Sequence, residues 1–89
     1  MSVSKELEIK NRKGLHARAA AAFVKTAESF GAKIDVERLG QKVSGCSIMG
    51  LMMLAASQGT TIKVTASGDD EQQAMEAISS LVDDKFGEE

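Results

Sequence analysis

Apolar and polar positions alternate in some stretches of this chain and recur at helical spacing in others. From Ser4 to Lys10, Leu7 and Ile9 fall on one face and Glu6, Glu8 and Lys10 on the other, the period of a half-buried strand. From Ala17 to about Phe30, Ala20, Phe23, Val24, Ala27 and Phe30 follow i, i+3, i+4, i+7 spacing. That predicts an amphipathic helix, with Gly31 closing it. Lys33–Arg38 alternates again, with Ile34 and Val36 inward; Leu39-Gly40 reads as a turn and Gln41–Val43 as a short returning strand. Ser47 to about Ala56 predicts a second, shorter helix. Thr61–Ser67 is a strand with Ile62, Val64 and Ala66 on one face. Gly68-Asp69-Asp70 opens a third helix with acids in its first turn, where the dipole favours them. Its buried stripe is Ala74, Ala77, Ile78, Leu81 and Val82.

The order is strand, helix, strand, strand, helix, strand, helix. Each well-marked strand has one charged face, whereas a sheet buried on both sides would read as continuous apolar runs. The sheet is therefore covered by helices on one side only. The class is α+β, with two layers.

The second helix departs from this amphipathic pattern. Ile48-Met49-Gly50-Leu51-Met52-Met53-Leu54-Ala55-Ala56 is apolar almost all the way round. Such a helix is normally buried or in a membrane. Nine residues cannot span a bilayer, and so small a domain cannot enclose the helix, so some of these side chains face water. Leu51, Leu54 and Ala55 share one face and are the core candidates. Ile48, Met49 and Met52 form a neighbouring face. Two readings fit them: methionines filling gaps in the core, or a flexible, polarizable surface for partner proteins.

Composition narrows the function classes. Eighty-nine residues make one domain, spanning 1–89. A chain of that size buries roughly 60–65% of its unfolded surface. With three phenylalanines and no other aromatic residue, there is no stacking platform for single-stranded nucleic acid. A net charge of −2 without a basic stripe argues against binding nucleic acid through its phosphates. No apolar h-region opens the chain and no apolar run approaches the roughly 18 residues of a membrane span, so a cytoplasmic protein without membrane insertion is expected. The single cysteine, Cys46, fits a reducing compartment and reads as a small filler. One Cys and one His cannot make a zinc site, and neither a metal nor another cofactor is expected.

The chemistry concentrates around the only histidine, in Asn11-Arg12-Lys13-Gly14-Leu15-His16-Ala17-Arg18. The first helix begins directly after His16, so the imidazole sits where unpaired backbone N–H groups and the positive end of the helix dipole meet. Arg12, Lys13 and Arg18 lie within four positions of it. A histidine, cations and a helix start suit a phosphorylatable ring; an ordinary half-buried histidine is the plainer alternative. Ser47, at the start of the second helix, also has two readings. It is a plain cap accepting an N–H from Met49 or Gly50, contributing about 1 kcal/mol, or a regulatory phosphoserine beside the apolar patch.

Gly14-Leu15-His16-Ala17-Arg18, with Ser47-Ile48-Met49-Gly50 further along, closely resembles HPr, the family of histidine phosphocarriers of the bacterial phosphoenolpyruvate-dependent phosphotransferase system. The resemblance covers essentially the whole chain. It implies an open-faced β-sandwich of βαββαβα order, a four-stranded, mainly antiparallel sheet with three helices on one face. It implies a relay, not a turnover enzyme: enzyme I phosphorylates the ring, and the carrier passes the group to an EIIA domain. By resemblance, Nδ1 of His16 is the acceptor. Arg18 neutralises phosphate charge, and the backbone N–H of Ala17 stands at the helix start. Ser47 is the target of HPr kinase/phosphorylase, and Ile48, Met49 and Met52 dock partners. The helix terminus also disfavours imidazolium, which keeps the ring a neutral nucleophile. A monomer is expected. The ending Phe86-Gly87-Glu88-Glu89 resembles the nitrogen-branch paralogue NPr, so the alternative to sugar uptake is a nitrogen-linked regulatory carrier. One departure is Ala19, where the family usually has proline. Alanine is an excellent helix former, so the helix survives and the phosphate site is at most slightly looser.

Overall fold

A computed structural model describes residues 2–88. The elements run β1 (Ser2–Glu8), α1 (Ala17–Glu28), β2 (Lys33–Arg38), β3 (Gln41–Ser44), α2 (Ile48–Met53), β4 (Thr61–Ser67) and α3 (Glu71–Asp83), followed by a single 3-10 turn at Lys85–Gly87. The strands form one sheet in the order β1-β4-β2-β3, and every neighbouring pair is antiparallel. The fold is the α+β open-faced sandwich that the pattern and the resemblance predict.

The register explains why one face is dry. Leu7 stands opposite Ile62, and Val36 lies between Val64 and Val43. These apolar side chains face the helices, where Phe23, Leu51 and Ile78 are fully buried against them. Each such burial contributes about 1.5–3 kcal/mol. On the open face, Glu6, Lys63, Glu37 and Lys42 stand side by side across the four strands. Opposite charges in neighbouring positions help hold the register. Ser4 and Thr65 share a hydroxyl hydrogen bond of 3.0 Å.

The element ends differ from the sequence expectation. β1 starts two residues earlier, at Ser2, and stops at Glu8. Ile9 stays fully buried beyond it, donating to Thr60 and accepting from Gly59, each at 2.8 Å. α1 ends at Glu28, because Ser29 closes it: the Ser29 hydroxyl and amide both donate to the Thr26 carbonyl. Gly31 is not a left-handed cap. Its N–H instead donates to Asp70 Oδ2 at 2.8 Å and ties the α1 exit to the α3 start. α2 ends at Met53, and Ala55 adopts a left-handed φ of 52°. That turn exposes Ala55 and sends Ala56 inward, so the core position expected of Ala55 belongs to Ala56. In α3, Met75 is buried although the stripe omits it, while Ala77 and Leu81 are half-buried. Cys46 is exposed rather than a filler.

Candidate functional site

The segment between β1 and α1 is fastened at three points. Asn11 is fully buried, and its Nδ2 donates to the Gly14 carbonyl at 2.7 Å. The Gly14 amide returns a bond to the Asn11 carbonyl at 3.2 Å. Leu15 N–H donates to the Ala56 carbonyl at 2.9 Å, which joins this loop to the chain leaving α2. Gly14 is indispensable here: its φ is +66°, and a Cβ would lie 2.4 Å from the Ala56 oxygen. The loop is therefore a fixed platform for the next residue.

That residue is His16, the N-cap of α1, with extended backbone (φ −80°, ψ 179°). Its carbonyl accepts the first helical bond, from Ala20 N–H at 2.8 Å. Its side chain does not cap the helix, so the ring projects away and the first-turn amides of Ala17 and Arg18 have no intrahelical partner. Nε2 of the ring is hydrogen-bonded to Glu88 Oε2, and Glu88 Oε1 accepts from Asn11 Nδ2 at 3.0 Å. Burial by itself would raise the Glu88 pKa. The hydrogen bonds from Asn11 and His16 and the charges of His16 and Lys13 outweigh it, and the carboxyl is held below the ordinary glutamate value. An ionised carboxylate can only accept, so Nε2 is the donor, and in the neutral ring the lone pair is then on Nδ1. Among the described residues Nδ1 has no hydrogen-bond partner.

Arg12, Lys13, His16, Arg18, Phe86, Gly87 and Glu88 line a cleft of about 440 Å³. None of the three cations pairs with a carboxylate among the described residues. The cleft thus offers unpaired amides, free cations and an imidazole nitrogen with an available lone pair. It can receive a phosphoryl group at Nδ1 and neutralise its charge. His16, Ala17 and Arg18, singled out from the sequence, come together. Glu88 and the Asn11 side chain were missed, because a tail residue 72 positions downstream gives no local signal. The one cue was Phe86 in a polar tail. It is buried at 9% exposure and anchors the turn that delivers Glu88. Glu89, the last residue of that tail, lies outside the described residues.

Ser47 caps α2, its Oγ accepting Gly50 N–H at 2.9 Å. This is one of the two bonds the sequence offered. Gly50 leaves room for it, since a Cβ there would stand 3.1 Å from both Ser47 Oγ and Val43 Cβ. Leu51 and Leu54 are buried, whereas Ile48, Met49, Met52 and Met53 are 41%, 71%, 40% and 65% exposed. The methionines here are not core fillers, and Met53 joins the face that Ile48, Met49 and Met52 define. The Leu15–Ala56 bond joins the histidine loop to the chain that leaves α2. Among the described residues no group of three or more His, Cys, Asp or Glu side chains could hold a metal ion. No helix among them is long and apolar enough to cross a membrane.

The molecule is thus a small open-faced α+β sandwich whose lone imidazole stands at the N-terminus of its first helix. Comparison with known proteins agrees. Residues 3–84 match the family described as the PTS HPr component phosphorylation site. Phosphocarrier protein HPr of Xylella fastidiosa (strain Temecula1) is 46% identical over 84 residues, 94% of each chain. The crystal structure of HPr from Thermoanaerobacter tengcongensis superposes with a TM-score of 0.93 at 50% identity, covering 98% of each chain. Crh of Bacillus subtilis, whose crystal structure is described as a swapped dimer, superposes with a TM-score of 0.76 at 42% identity, covering 93% of this chain and 95% of its own. The chain belongs to the HPr family of phosphocarrier proteins of the phosphotransferase system.

Proposed function

We propose that this chain carries a phosphoryl group on Nδ1 of His16, taking it from phosphorylated enzyme I and delivering it to an EIIA domain. One observation supports this above the others: at the start of α1, Nε2 is engaged by Glu88 while Nδ1 has no partner among the described residues. Arg18 lines the same cleft as His16, and the unpaired amides of α1 begin at the next residue. In the transfer, the Nδ1 pair attacks phosphorus as the donor's bond to phosphorus breaks. Amides of Ala17 and Arg18 and the Arg18 guanidinium then face the added charge.

Partners dock on the exposed face of Ile48, Met49, Met52 and Met53. Ser47, half-buried at the edge of that face, is the regulatory site for HPr kinase/phosphorylase. In this reading the carrier works as a monomer in the cytoplasm. Sugar uptake is the primary branch; the nitrogen branch is carried only by the tail's likeness to NPr, and the EIIA domain that accepts the group decides between them.

The test is phosphotransfer from labelled phosphoenolpyruvate through purified enzyme I. The label on this protein should be acid-labile and base-stable, and His16→Ala should abolish it. Label of that kind on the alanine variant would overturn the carrier reading.

A further inference from the structure

Glu88 lies outside the histidine motif and outside every regular element, yet it makes the only hydrogen bond of the His16 ring among the described residues. Both of its oxygens are used, Oε2 by His16 and Oε1 by buried Asn11, whose Nδ2 also holds the Gly14 carbonyl. The carboxylate is thus fixed from the loop that fixes the histidine. Among the described residues it is also the single acid lining the cleft, where Arg12, Lys13 and Arg18 supply three positive charges. We propose that Glu88 is the positioning residue of the phosphoryl-accepting imidazole: it keeps the proton on Nε2, so that Nδ1 is the nucleophile, and it offsets the positive charge of the phosphorylated ring.

This rests on the reading of His16 as the acceptor and adds a role to it. When the lone pair of Nδ1 forms the N–P bond and the donor's bond breaks, the ring becomes a cation with its proton still on Nε2. Three neighbouring cations oppose that charge, and Glu88 faces it across the ring from the phosphorus. Onward transfer breaks the N–P bond and returns the electron pair to Nδ1. The Nε2 proton stays in place in both directions, and a protonated ring is the better leaving group. A neutral side chain at this position cannot do the same. Glutamine offers one acceptor oxygen where Asn11 and His16 present two donors, and it carries no charge.

The test uses the full-length protein with Glu88→Gln and Glu88→Ala. Transfer from enzyme I and onward to an EIIA domain should fall about tenfold or more, the order lost when the outer hydrogen-bond partners of metal-ligating imidazoles are removed. In the 15N spectrum of the phosphorylated wild-type protein at pH 8, Nε2 should be protonated. In phosphorylated Glu88→Gln a substantial share should have lost that proton. A merely structural residue would shift the melting temperature and leave the spectrum alone. Wild-type transfer rates in both variants, or an unchanged Nε2 signal, would overturn the inference, as would faster transfer, which would make the tail a gate. A wild-type protein that takes no phosphoryl on His16 would instead sink the carrier reading itself.

Discussion

At the scale of single residues, charge and caps decide the outcome. Arg18 is exposed and unpaired among the described residues, so its guanidinium is available to phosphate and carries no part of the fold. A charge-assisted hydrogen bond contributes about 1.5–3 kcal/mol, which corresponds to roughly a ten- to hundredfold change in rate. Arg18→Ala should slow transfer by that order with an unchanged melting temperature, and stopped-flow transfer alongside thermal melts checks both halves. Ser47 is more tightly built in. Ser47→Ala loses the bond to Gly50 N–H and should cost about 1 kcal/mol of stability while leaving transfer intact. Ser47→Asp should keep the cap yet reduce phosphorylation by enzyme I, with the effect shrinking as salt is raised, since exposed charges are screened over about 8–10 Å at physiological ionic strength. An aspartate variant phosphorylated at the wild-type rate at low salt would leave Ser47 as a cap alone.

At the scale of elements, α2 is the informative piece. Its six residues present Leu51 to the core and leave Ile48, Met49, Met52 and Met53 to water. Composition left both a core and a surface role open for these methionines; their exposure settles it for the surface. Met49→Asp adds a charge at a position 71% exposed, so stability should stay within about 0.5 kcal/mol. Binding to enzyme I should weaken at least tenfold, measured by titration calorimetry. The periodicity located every helix and strand of the fold, but several ends moved by two or three residues. The reasons are tertiary and local at once. Ser29 turns its own hydroxyl back on α1, and Ala55 takes a left-handed turn so that Ala56 can meet Leu15.

At the scale of the whole molecule, Phe86, Gly87 and Glu88 close the cleft opened by the first loop. Lys85, Phe86 and Gly87 all have left-handed φ, at 55°, 55° and 74°, a conformation that costs a non-glycine residue about 1–3 kcal/mol unless its surroundings enforce it. Burial of Phe86 and the Glu88 bonds to Asn11 and His16 are what enforce it. Because the folded Glu88 carboxyl lies below its ordinary pKa, its contribution is present above the ordinary glutamate range and is lost as the pH falls through the folded value. Wild type should therefore melt above Glu88→Gln at neutral pH, and the gap should close on acidification below about pH 4. A melting gap that stays constant from pH 7 to pH 3 would show that the carboxylate's charge contributes nothing.

The sequence by itself determined the layers, the one-sided sheet and the place of the lone histidine directly before the first helix. Those follow from periods of two and 3.6, and from a motif whose parts lie within eight consecutive residues, Asn11 to Arg18. It did not determine which ring nitrogen is free, nor which apolar side chains of α2 stay wet. Those depend on contacts between segments far apart in the chain: Glu88 with His16, Ala56 with Leu15, Asp70 with Gly31. Hydrophobic patterning reports which way each element faces. It carries no record of which distant hydrogen-bonding group will meet a given polar atom once the faces have closed, as Glu88 meets His16 here.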